Sequence, residues 1–269
     1  MSQFAPHRAR KRFGQNFLHD PGVINRIQRA IAPRAGQHLV EIGPGQGALT
    51  EGLLDSGARL DVVELDHDLH PILQARFGHR PTFTLYKGDA LKFDFSELVT
   101  DGEKLRVVGN LPYNISTPLM FHLLDQSHCI ADMHFMLQKE VVQRLAAGAG
   151  MNHYGRLGIM VQYHCQVEHL FDVGPGAFSP APKVDSAIVR LTPHAQLPYP
   201  ADDPKLLELV VREAFNQRRK TLRNTLKPLL DADSIAEEGL DPTTRPEQVD
   251  LAGFVRLANR LARQQKDLR

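Results

Sequence analysis

Residues 40–47 read Val40-Glu41-Ile42-Gly43-Pro44-Gly45-Gln46-Gly47. The apolar run at 38–42 ends in three alternate glycines, and residues 48–54 then take up a helical pattern. That is a strand, a sharp turn and a helix. Glycines in such a turn give the backbone conformations closed to other residues, and they let a ligand approach with no Cβ in the way. The spacing is Gly-x-Gly-x-Gly. A pyrophosphate seated on a helix N-terminus calls for Gly-x-Gly-x-x-Gly, so a dinucleotide-dependent dehydrogenase is disfavoured.

The same alternation continues on both sides. Asp20 and Pro21 open a helix whose Val23, Ile24, Ile27 and Ile31 fall at helical spacing, and Pro33 and Gly36 close it. Residues 60–65, 83–86, 105–108 and 133–137 read as strands. Helical patterns at 67–77, 118–124 and 141–147 are interleaved with them. The expected fold is α/β, Rossmann-like: a doubly wound parallel sheet with helices on both faces. Residues 187–191 form a last strand. The segment 192–204 carries Pro193, Pro198, Pro200 and Pro204 and reads as a linker. Beyond it, Leu206, Leu207, Val210, Val211 and Ala214 make one apolar stripe, and Leu251, Phe254, Val255, Ala258 and Leu261 another. The expected domains are therefore an α/β domain at 1–193 and a small all-α domain at 194–269.

Composition narrows the class. The 269 residues are 42% hydrophobic and 23% charged, enough for a normal core and too apolar for wholesale disorder. No apolar run reaches the length of a membrane span. Residues 1–12 carry Arg8, Arg10, Lys11 and Arg12 without an apolar stretch, so no secretory signal is expected. The two cysteines, Cys129 and Cys165, make no disulfide framework and fit a reducing cytoplasm. His164, Cys165 and His169 match no zinc spacing, and no metal is expected. The net charge of +1 decides little, but its distribution is uneven. Arg212, Arg218, Arg219, Lys220, Arg223 and Lys227 lie together with Glu213 the only acid among them. Alone, this run reads equally as a solvated face or a nucleic-acid contact.

Acidic residues follow the next two strands: Glu64, and Asp89 within Gly88-Asp89-Ala90. In open α/β sheets ligands sit outside the carboxyl ends of the strands. A carboxylate at the second strand end is placed to accept both hydroxyls of a ribose, and one at the third to accept from the amine of an adenine. After the fourth strand stands Asn110-Leu111-Pro112-Tyr113. An amide oxygen there can hold an aromatic amine whose lone pair is delocalised into its ring. Tyr113 offers a face for a stacked base.

The glycine turn resembles motif I of class I S-adenosylmethionine-dependent methyltransferases, and the Asn110–Tyr113 tetrad resembles the corresponding motif of amino-methyltransferases. Three further stretches stand in the order of one family: Gly14-Gln15-Asn16-Phe17-Leu18, Phe178-Ser179-Pro180-Ala181-Pro182-Lys183-Val184-Asp185-Ser186 and Phe215-Asn216-Gln217-Arg218-Arg219-Lys220-Thr221-Leu222. Over nearly its whole length the chain resembles the bacterial small-subunit (16S) ribosomal RNA adenine dimethyltransferases. The resemblance implies S-adenosylmethionine as cofactor. Asn16, Leu18, Gly43, Gly45, Glu64, Asp89 and Asn110 would hold it. Asn110, Leu111, Pro112, Tyr113 and Phe178 would form the catalytic site, with Phe178 beside the target base. Arg218, Arg219, Lys220 and Arg223 would grip RNA backbone. It further implies dimethylation of N6 on two adjacent adenosines in a hairpin near the 3′ end of the RNA, in the assembling 30S particle, by a monomer. Two alternatives share the first domain: a large-subunit ribosomal RNA adenine methyltransferase, and a non-catalytic RNA-binding assembly factor. The basic helical C-terminal region disfavours the former, and intact Glu64, Asp89 and Asn110 disfavour the latter.

Overall fold

The computed structural model describes residues 15–100, 102–217 and 219–267. The chain runs β1 (Phe17–Leu18), α1 (Pro21–Ile31), β2 (His38–Ile42), α2 (Thr50–Asp55), β3 (Arg59–Glu64), α3 (Leu69–Phe77) and β4 (Phe83–Lys87). It continues with β5 (Leu105–Asn110), α4 (Ser116–Asp125), β6 (Ile130–Gln138), α5 (Lys139–Ala146), α6 (Arg156–His164), β7 (Cys165–Val173), β8 (Phe178–Ser179) and β9 (Ser186–Pro193). The remaining helices are α7 (Pro204–Phe215), α8 (Leu222–Thr225), α9 (Ala232–Glu237) and α10 (Leu251–Asp267). Two compact units result. One comprises the residues up to Val142 together with Val167–Pro193, the other Gln143–Gln166 together with the residues from His194 onward. The expected cut at 193 is thus one of three crossings. The stretch 143–166, expected in the α/β domain, groups with the helical unit, and the other two crossings fall inside α5 and β7.

The first unit holds a seven-stranded sheet in the order β4-β3-β2-β5-β6-β9-β7. The pairs from β4 to β6 are parallel, whereas β9 runs antiparallel to β6, so the sheet is mixed where the sequence suggested parallel pairing throughout. All five residues of β2 are buried, as a strand covered on both faces requires. Strand order reverses between β2 and β5, and the crevice of a doubly wound sheet opens at such a switch point. Gly109 lets these two strand ends meet. A Cβ there would lie 2.7 Å from the Ile42 carbonyl oxygen, so any side chain would push the end of β5 off β2.

Helix α1 is fixed at both ends. Asp20 accepts the Val23 N–H at 2.9 Å as N-cap, ahead of Pro21 in the first turn. At the other end Arg106 donates to the Ile31 carbonyl at 2.6 Å and Arg190 to the Ala30 carbonyl at 3.1 Å. Cations on carbonyls of a helix C-terminus satisfy its orphan acceptors and complement its dipole. Just before α1, β1 pairs with β8, Leu18 opposite Phe178. In the second unit α10 packs on α7 and α6, and Leu207, Val210, Val211 and Ala214 meet a buried face that includes Phe254, Leu257, Ala258 and Leu261.

Candidate active site

The ends of β2, β3 and β5, the Gly88–Asp89 turn after β4 and the segment 15–18 enclose a cavity of about 320 Å³. All of its lining belongs to the first unit. The glycine turn forms one wall. Gly43, Gly45 and Gly47 have φ of +63°, +59° and +88°, the left-handed region that a side chain strains. Gly43 donates its N–H to the Val63 carbonyl at 2.9 Å, which continues the β2–β3 ladder into the turn. The Arg76 guanidinium donates to the Gln46 carbonyl and ties the turn to α3.

Glu64 ends β3 and is almost wholly buried. Its Oε1 accepts the Asp66 N–H at 2.8 Å and its Oε2 the Gly45 N–H at 3.3 Å. Each oxygen keeps a lone pair for a further donor. Burial lifts the carboxyl from its ordinary 4.5 to about 7, against the pull of those N–H groups. Glu41 lies deeper. Thr50 Oγ1 donates to it at 2.6 Å, burial still raises it to about 7, and the Glu64 charge adds to the rise. Asp89 caps the short turn Ala90–Lys92, accepting the Leu91 N–H at 3.0 Å, and also lines the cavity.

The Glu64 shift carries a pH dependence with a defined sign. The folded free protein holds a proton that the unfolded chain releases near 4.5, so this group's contribution to stability falls as pH rises from about 4.5 to about 7. A ligand whose hydroxyls donate to the carboxylate selects the ionised form. Its affinity is therefore expected to be up to about tenfold higher at pH 8 than at pH 6. Titration calorimetry of S-adenosylmethionine across that range checks this, and Glu64→Gln should flatten the profile.

Asn110 ends β5 at the switch point. Its Nδ2 donates to the main-chain carbonyl of Asn16 at 3.1 Å, which turns the acceptor Oδ1 away from that contact. The Leu111 N–H continues the ladder to Met136 O at 3.1 Å, and the Leu111 side chain is buried. Pro112 and Tyr113 continue this lining, as do Asn16, joined to Asn110, and Leu18. Asn16, Leu18, Gly43, Gly45, Glu64, Asp89, Asn110, Leu111, Pro112 and Tyr113 thus surround one cavity.

Phe178 does not join them. Expected beside the target base, it is 3% exposed and packs in the core cluster with Leu18, Val108 and Ile188. A phenyl ring with no polar handle is held there by the apolar area it buries. Arg219, Lys220 and Arg223 are exposed in the second unit, and Arg218 lies outside the described residues, as do Gly14 and the basic residues before it. Among the described residues no group of three or more His, Cys, Asp or Glu is placed to hold a metal ion, and no helix is long and apolar enough to cross a membrane. The structure also gives contacts to residues that stand in the motifs without an expected role of their own. Gln15 donates to Asp66 Oδ2 at 2.9 Å, next to Glu64, and the Tyr113 hydroxyl meets the Ser186 hydroxyl at 2.9 Å.

A family model described as ribosomal RNA adenine dimethylase matches residues 6–263. A ribosomal RNA small subunit methyltransferase A from Pseudomonas aeruginosa is 74% identical over 262 residues, covering 97% of this chain and 98% of that one. One of the same name from Marinomonas sp. is 61% identical, over 96% and 97%. Among solved structures, a dimethyladenosine transferase from Plasmodium falciparum aligns with a TM-score of 0.76 at 25% identity, over 90% of this chain and 95% of that one. The 23S rRNA methyltransferase ErmE aligns with a TM-score of 0.70, also at 25% identity, over 92% and 100%. With a family model spanning both units and relatives matched from end to end, the chain belongs to the ribosomal RNA adenine dimethylase family.

Proposed function

We propose that this enzyme transfers methyl groups from S-adenosylmethionine to N6 of two adjacent adenosines in a hairpin near the 3′ end of small-subunit ribosomal RNA. It does so on the assembling 30S particle, as a monomer in the cytoplasm. One observation carries the reading: two carboxylates and the Asn-Leu-Pro-Tyr corner face a single cavity at the switch point of the sheet. Identity favours the small-subunit substrate over the large-subunit one, at 74% to a small-subunit enzyme against 25% to ErmE.

The cavity suits the cofactor. Cβ atoms added at Gly43 and Gly88 would meet nothing within 4 Å, so the backbone at both turns is open to a ligand. Gly43 and Gly45 would lie along the amino-acid end, Glu64 would accept the ribose hydroxyls, and Asp89 would accept from the adenine amine. Asn16 and Leu18 would complete the cofactor's surroundings beside Asn110. The bound cofactor supplies a methyl group on a sulfonium, already a good electrophile. What the protein must do is prepare the amine. Asn110 Oδ1 accepts one N6 hydrogen and a neighbouring main-chain carbonyl the other, which favours a pyramidal nitrogen with its lone pair directed at the methyl group. Tyr113 stacks the extruded base. No strong base is needed before transfer: the nitrogen becomes cationic as it gains the methyl group, the carbon–sulfur bond breaks to leave a neutral thioether, and the now acidic N6 proton passes to solvent.

Undermethylated small subunits incubated with labelled S-adenosylmethionine test this, followed by mapping of the modified bases. Label on adjacent adenosines near the 3′ end is expected, and label confined to large-subunit RNA would overturn the reading. Arg219, Lys220 and Arg223, with Arg218, would bind phosphates. Replacing the first three with alanine is expected to weaken particle binding and to lower the slope of log affinity against log salt by about 2–3. Cofactor affinity should hold, since none of them lines the cavity. A filter-binding salt series checks both.

A further inference from the structure

We infer that Ser186 is a positioning residue for the methyl acceptor, acting through the hydroxyl of Tyr113. Ser186 opens β9, where it stands opposite Gln138 of β6 in the antiparallel pair. Its side chain is fully buried, at 0% exposure. Its Oγ lies 2.9 Å from the Tyr113 hydroxyl, although 73 residues separate the two in sequence. Tyr113 is also held at its backbone, where Ser116 Oγ donates to its carbonyl at 3.2 Å. A tyrosine fixed at the backbone alone still turns about two side-chain torsions. The second anchor, at the far end of the ring, removes that freedom.

This inference rests on Tyr113 as the stacking face. A base that stacks on a ring already held in place does not have to order it on binding, and preorganisation of this kind shows in the rate and affinity for the base. The rigidity of the anchor comes from the sheet, because Ser186 sits in a strand paired along its length with β6. The bond is also self-protecting: a buried hydroxyl left without a partner is costly, so the two groups stay together. Ser186 does not itself line the cavity, so it can act on the methyl acceptor only through Tyr113, which does.

The test is a double-mutant cycle on undermethylated small subunits. Ser186→Ala and Tyr113→Phe each remove the same bond from opposite ends. Each is expected to lower kcat/KM for the particle about 3–10-fold, the scale of one net hydrogen bond, with S-adenosylmethionine affinity unchanged. The double variant should fall no further than either single one. Ser186→Cys keeps the volume but bonds weakly, so it should behave like the alanine variant. Multiplicative losses in the double variant, or full activity in Ser186→Cys, would overturn the role. Tyr113→Phe changes the half-exposed partner, so it reads the bond even where a Ser186 variant does not fold, and full activity there also overturns it. Tyr113→Ala separates the two layers. Full activity in that variant sinks the stacking role itself, whereas a loss there beside neutral Ser186→Ala and Tyr113→Phe variants sinks the Ser186 role alone.

Discussion

Glu64→Ala is expected to weaken S-adenosylmethionine binding by about 10–100-fold. A charge-assisted hydrogen bond is worth roughly 1.5–3 kcal/mol, and about 1.4 kcal/mol is tenfold in affinity. Two features of the site place the effect in that range. The carboxylate is nearly dry, so water does not replace it as an acceptor. It also holds the Asp66 and Gly45 N–H groups, so its loss removes one of the bonds between the glycine turn and the end of β3. Glu64→Gln keeps an acceptor but not the charge, and should lose less. Calorimetry on variants shown by melting to be folded decides the matter. Unchanged affinity in a folded Glu64→Ala protein would remove Glu64 from the cofactor site.

The features that were legible beforehand share one property: they are local in sequence. The turn at Gly43, Gly45 and Gly47 announces itself because the positive φ values demand glycine. Glu64 and Asn110 can be placed because each closes a short apolar run and lands at a strand end. Asp20 and Pro21 mark the start of α1 by capping chemistry alone. Where local punctuation is missing, the sequence does not mark the element. Helix α6 ends at His164 and β7 begins at Cys165 with no glycine or proline between them, so neither element was picked out. The grouping of 143–166 with the helical unit was invisible for a related reason. Linkers are recognised by composition, but two of the crossings lie inside α5 and β7.

Tertiary facts were out of reach in a different way. The phenyl ring of Phe178 sits in a motif, and motifs suggest exposure to substrate. Its burial follows from strand pairing with Leu18 and from packing in one cluster with Val108 of β5, both far away in sequence, and with Ile188 of β9. The bond between Ser186 and Tyr113 likewise needs β9 laid beside β6, a non-local pairing that no spacing rule encodes. The burial of Glu41 in the middle of the sheet raises its carboxyl to about 7, against the hydrogen bond that Thr50 of α2 donates to it, and neither fact is encoded in local spacing.

Asn110→Ala carries the largest expected loss. Turnover should fall about 10²–10³-fold, the scale seen when one preorganised polar group is removed, while RNA binding is largely kept. The side chain is held through its Nδ2, which donates to the Asn16 carbonyl, and that contact decides which end of the amide faces the amine. Asn110→Asp preserves an acceptor and is expected to retain part of the activity. It loses the donor, however, and sets a carboxylate oxygen against the Asn16 carbonyl, so recovery should be incomplete. Single-turnover kinetics with saturating particle separate the chemical step from binding, and an Asn110→Ala variant with wild-type turnover would rule out the amide as the group that prepares the amine. The cavity wall also constrains the route of the methyl group. Among the described residues it contains no thiol, imidazole or amine, and both cysteines are buried elsewhere with burial raising their thiols. The lining thus offers no sulfur or nitrogen nucleophile to take the methyl group, and its carboxylates are engaged as hydrogen-bond acceptors: Glu41 from Thr50, Glu64 from Gly45 and Asp66, Asp89 from Leu91. A methyl group of defined chirality should arrive on N6 with inverted configuration, as one displacement requires, and retention would reveal an enzyme nucleophile that this wall does not provide.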